Sequence, residues 1–179
     1  MTNESGRRLT MKYTSSEANK FLKKLNSDYQ ALLNFERDSR TFLAATGEDP
    51  EDIRPSYDYA KTLADIDEIS RQIRTVKHAL NVFNSTTVVD GFDMTIDEML
   101  VMLPQLSERV RTLDAMRSAL PKMRERTYGS GTGATIDYRY TNYDIAEAAK
   151  DYERCYALLS KAQTALDLVN NTVRFDIDI

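Results

Sequence analysis

The sequence predicts a mainly α protein: two antiparallel helical hairpins, related as an internal repeat, that form an elongated four-helix bundle with a small β-hairpin and short strands. Three observations predict it. Residues 57–86 realign in register on residues 143–172, with Tyr57-Asp58 recurring as Tyr143-Asp144, Asp65 as Asp151, Ala79-Leu80 as Ala165-Leu166, and Asn84 and Thr86 as Asn170 and Thr172. Both segments carry a seam with alternating spacings of three and four, at 59, 62, 66, 69, 73, 76, 80 and 83 and at 145, 148, 152, 155, 159, 162, 166 and 169. That is the spacing of knobs-into-holes packing, and Thr62 is its one small polar member. Between Arg126 and Thr141 the period drops to two around a glycine-rich turn, the mark of a β-hairpin.

At 179 residues, 41% hydrophobic and 29% charged, the chain is long enough to bury a sizeable helical core. One helical domain over residues 14–179 is expected, after a flexible segment over residues 1–13 that lacks apolar periodicity. No apolar run approaches the length a membrane span needs. Arg7, Arg8 and Lys12 are not followed by the apolar stretch of a secretory leader, so a cytoplasmic location is expected. The formal charge of −4 argues against a general nucleic-acid binder. The single cysteine, Cys155, excludes an intramolecular disulfide, and the single histidine, His78, excludes the common zinc clusters.

Hairpin one covers residues 14–84. Thr14-Ser15-Ser16-Glu17 is a capping box opening the first helix, whose stripe runs through Leu22, Leu25, Tyr29, Leu32 and Leu43 to a stop at Gly47. The acidic linker to Ser56 holds Pro50 and Pro55 and turns the chain back into the second helix, from Tyr57 to Phe83. Thr86-Thr-Val-Val89 followed by Asp90-Gly91 reads as a short strand and turn. Hairpin two covers residues 95–170. Thr95-Ile-Asp-Glu98 is a second capping box, ahead of inward Met99, Leu103, Leu106, Val110, Leu113, Met116 and Leu120. Pro104 predicts a kink near residues 100–104, with Pro121 as the site of another. The β-hairpin insertion spans 126–141, Asn142 is the expected cap of the fourth helix, and residues 172–179 alternate as a terminal strand.

Several short motifs occur in a fixed order: Gly-Glu-x-Pro-Glu at Gly47 to Glu51, Asn84-x-Thr86, Gly91 leading to Thr95-Ile-Asp-Glu-Met-Leu100, and Ile136-x-Tyr138-x-x-Thr141-x-x-Asp144. In this order they resemble the septicolysin-like bacterial proteins over about residues 20–175. The resemblance implies long paired helices and no established activity.

The glycine-rich stretch Gly129 to Gly133 lacks the Lys-Ser/Thr pair and following helix of a phosphate loop, and reads as a hairpin tip. Asp58, Asp65, Asp67 and Glu68 lack the Glu-x-x-His partners of a di-metal bundle, so they read as a solvated flank paired with basic residues. Cys155 falls on the seam as a small apolar residue, and no nucleophile and base come together. No catalytic, cofactor or metal residue is assigned.

The best reading is a non-catalytic cytoplasmic assembly or interaction module that self-associates, most simply as a dimer, with an unidentified protein partner also open. The candidate interface is Val173, Phe175 and Ile177 of the apolar tail with Tyr138 and Tyr140 of the hairpin. The alternative is a nucleic-acid-associated protein using the basic segment 109–126, with Arg117, Lys122, Arg124 and Arg126 as contacts beside the hairpin tyrosines. An enzyme with a nonstandard site ranks third.

Overall fold

The computed structural model describes residues 10–126 and 136–179. It is mainly helical. The order is β1 (Thr10–Thr14), α1 (Ser15–Ser39), α2 (Pro50–Ile53), α3 (Tyr59–Thr86), β2 (Val88–Val89), β3 (Met94–Thr95), α4 (Ile96–Arg117), β4 (Lys122–Arg126), β5 (Ile136–Tyr140), α5 (Ile145–Thr172) and β6 (Arg174–Asp178). The strands form three antiparallel pairs, β1 with β6, β2 with β3 and β4 with β5. The chain divides into two compact units, one running up to Thr87 and taking back Leu168–Ile179, the other covering Val88–Asp167.

In the first unit, α1 opens on the predicted capping box. The Thr14 hydroxyl accepts from the Glu17 amide at 3.2 Å, and the Glu17 carboxylate accepts from the Thr14 amide at 2.9 Å. Asp58 caps α3 by accepting from the Lys61 amide at 3.0 Å. The core joins Ala18 and Leu25 of α1, Val76 and Leu80 of α3, and Ile177 of β6. Tyr13 stacks on Phe21 at 5.7 Å between ring centroids, and Phe83 on Phe175 at 4.4 Å.

Two expectations are corrected here. Residues 10–13, read as frayed, form β1, because the tail supplies the partner strand: Thr10 donates to Asp178 at 2.6 Å and Met11 faces Ile177 in the register. No local pattern in the N-terminus announces a partner at the other end of the chain. The first helix ends at Ser39, not Gly47, and Leu43 is 96% exposed in the following loop. The facing helix starts only at Tyr59, itself 66% exposed, so further turns of α1 would have no apolar surface to cover. Gly47 does take the left-handed conformation, at φ 98°, in a turn closed by the Glu48 amide on the Ala45 carbonyl.

In the second unit, β2 and β3 meet around a turn in which Gly91 and Asp93 have φ of 77° and 50°. The Thr95–Glu98 capping box opens α4. Pro104 lies inside α4, whereas Pro121 lies beyond its end and accepts from the Thr141 amide at the base of the β4–β5 pair, so it kinks no helix. Leu120, expected inward, is 65% exposed for the same reason. The Tyr143 hydroxyl, just ahead of α5, donates to the Met116 carbonyl of α4 at 2.9 Å. Asp144, not Asn142, caps α5, accepting from the amides of Ala146 and Glu147. The predicted α5 seam is buried at Ala148, Cys155, Leu159, Ala162, Leu166 and Val169.

Helices α3 and α5 each have 28 residues and the same limits under the sequence alignment, Tyr59 on Ile145 and Thr86 on Thr172. Their terminal threonines bond alike, Thr86 to the Val82 carbonyl and Thr172 to the Leu168 carbonyl, each at 2.7 Å. Among the described residues no helix is long and apolar enough to cross a membrane.

Candidate interaction surface

The β4–β5 pair starts at Lys122, four residues earlier than the periodicity suggests; its Gly129 to Gly133 tip, and the side chain of Arg126, lie outside the described residues. In the register Lys122 faces Tyr140 and Arg124 faces Tyr138, which puts these four side chains on one face, while Met123, Glu125, Asp137 and Arg139 share the other. The Lys122 ammonium sits 3.9 Å from the Tyr138 ring centroid and 5.3 Å from that of Tyr140. On the opposite face Arg139 pairs with Glu125 at 2.6 Å. Both tyrosines, Met123, Lys122 and Arg124 are exposed.

The rest of the basic segment is less available than its composition suggests. Arg117 lies 3.7 Å above the Tyr152 ring and pairs with Asp114 at 2.8 Å, and its hydrogen bond to Asp114 is the main reason its pKa is raised. It fastens α4 to α5 and is not free to take a phosphate. Arg111 is held by Glu108 at 2.7 Å. That leaves Lys122 and Arg124 of the nominated cations in no ion pair among the described residues.

The tail is used by the chain itself. Ile177 is 1% exposed in the core of the first unit and Phe175 is stacked on Phe83, which corrects their assignment to a subunit interface. Alternation shows that one face of a strand is covered and does not show by what. Val173 stays exposed on the rim of a groove of about 640 Å³ between β6 and α3 that also includes His78 and Asp176.

A groove that the sequence reading missed runs between α1 and α3, about 610 Å³, lined by Asp28, Leu32 and Phe35 of α1 and Asp65, Glu68 and Ile69 of α3. The lining combines apolar side chains, with Phe35 46% exposed, and three carboxylates. Arg71 and then Gln72 donate to Glu68 and lower its pKa to about 2. Asp28 and Asp65 are in no ion pair among the described residues, against the expectation that Asp65 would be neutralised. The sequence displays the carboxylates but not the register that sets α1 beside α3.

Cys155 is buried, with its Sγ 3.9 Å from the Leu106 carbonyl oxygen, as expected of a seam residue. Among the described residues no three metal-ligating side chains cluster.

No protein-family model matches the chain, and no curated protein is similar to it. A solved structure has a similar fold: a functionally unknown conserved protein from Corynebacterium diphtheriae, 15% identical, with a TM-score of 0.55 over 92% of this chain and 99% of that chain. The likeness is one of fold. No specific activity comes with it.

Proposed function

We propose that this protein is a non-catalytic, self-associating assembly module. The observation that carries the reading is the exposed face formed by Lys122, Arg124, Tyr138 and Tyr140. A two-stranded hairpin is marginally stable alone in water, and this one spends none of its described side chains on a core. Covering the face in an assembly supplies the missing burial. The matching limits and caps of α3 and α5 support descent of the two helical hairpins from one duplicated unit, and the ordered motifs from Gly47 to Asp144 support a septicolysin-like relationship.

Light scattering coupled to size exclusion, with ultraviolet absorbance to detect bound nucleic acid, tests the reading. A nucleic-acid-free oligomer is the expected result. A monomer at every concentration overturns it, as does a species whose mass depends on copurified nucleic acid.

A further inference from the structure

We infer that the occupant of the α1–α3 groove is the β4–β5 hairpin of a second copy of this chain. The inference rests on the assembly reading above and names its contact. The two surfaces are complementary in chemistry. The groove is lined by the apolar side chains of Leu32, Phe35 and Ile69 together with the carboxylates of Asp28, Asp65 and Glu68. The hairpin presents Tyr138 and Tyr140 flanked by Lys122 and Arg124. Tyrosine suits such a seat because its ring buries apolar area while its hydroxyl stays bonded at the rim.

The size fits a binding site. At about 610 Å³ the groove lies within the roughly 300–1,000 Å³ of small-ligand pockets, enough for aromatic side chains to enter. The charges fit as well. Asp28 and Asp65 face solvent without an ion-pair partner among the described residues, and the same holds for Lys122 and Arg124, whereas Arg111 and Arg117 are already committed to carboxylates of their own helix. In a chain with formal charge −4 the hairpin face is a local cationic exception, and it meets the groove carboxylates on any other copy.

Groove and hairpin are different patches; the contact is isologous where both engage reciprocally in a two-fold dimer, and is otherwise head-to-tail, closing into a ring or continuing as a chain of subunits.

The test is a charge exchange on the full-length protein. The double variant Lys122→Glu/Arg124→Glu and the double variant Asp28→Lys/Asp65→Lys should each weaken self-association about tenfold or more, read by sedimentation velocity, since like charges then face each other. Equimolar mixing of the two should restore association, because each supplies the surface the other lacks. The quadruple variant should associate again by itself. Tyr140→Ser, which leaves every charge in place, should weaken association too, and circular dichroism melts establish that each variant is folded. Wild-type assembly that neither double variant disturbs overturns this contact and leaves the assembly reading standing. Losses that mixing fails to repair overturn it too, and a monomeric wild type removes both.

Discussion

Ile177 carries the packing of the tail: one side chain from the last strand closes the core formed by α1 and α3. Its 1% exposure predicts that Ile177→Ala costs about 2–5 kcal/mol, measured by urea unfolding. The alternation of Val173, Phe175 and Ile177 was legible as a covered face, yet its owner was not, since the covering residues lie far away in sequence at Ala18, Leu25 and Val76. Glu68 gives a second test at this scale. Its hydrogen bonds from Arg71 and Gln72 hold its folded pKa at about 2, below the ordinary 4.5. A depressed carboxyl contributes stability that is present above the unfolded value and lost as pH falls from about 4.5 toward 2. At 46% exposure the contribution is small after solvent screening. Carboxyl carbon NMR should place the Glu68 midpoint near the lower value, and Arg71→Ala should raise it toward the ordinary range, with the Gln72 hydrogen bond still lowering it.

At the scale of elements, the starts of α1, α3 and α4 follow local chemistry, whereas the end of α1 and the start of α5 do not. Thr14 with Glu17 and Thr95 with Glu98 form the boxes that their spacing announces, and Asp58 caps α3 one residue inside the predicted start. Thr95→Ala removes a hydroxyl acceptor from the Glu98 amide and should cost about 1 kcal/mol, seen as a lowered Tm. The end of α1 was misread because Phe42, Leu43 and Gly47 form a persuasive local ending, while the actual stop at Ser39 depends on where α3 begins. The fourth helix shows the same dependence in reverse. Asn142 is a good cap residue by type, but Asp144 holds the position because α5 begins at Ile145.

At the scale of the whole molecule, each strand pair stays within one unit while the chain passes from one unit to the other. The strand after α3 pairs with β3 in the second unit, and the strand after α5 pairs with β1 in the first. The proposed self-association belongs to this scale too, and the charge exchange between the hairpin and the groove examines it without touching either core. Of the candidate surface, the shared face of Tyr138 and Tyr140 was legible from alternation, whereas Lys122 and Arg124, expected beside a hairpin that began at 126, join that face only because β4 begins at Lys122. The groove was not legible, because Phe35 and Asp65 become neighbours only when α1 and α3 adopt one particular register.

By itself the sequence determined the helical class, the seams of α3 and α5, two capping boxes and the shared face of Tyr138 and Tyr140. Each depends on residues within a few turns of one another, where backbone geometry alone dictates which side chains are neighbours. Tertiary structure alone decided that Thr10–Thr14 is a strand, that α1 stops at Ser39, that Ile177 is core, and that a groove lined by carboxylates exists. Those outcomes depend on which distant segment arrives to bury a surface or satisfy a backbone edge, and no local pattern carries that information.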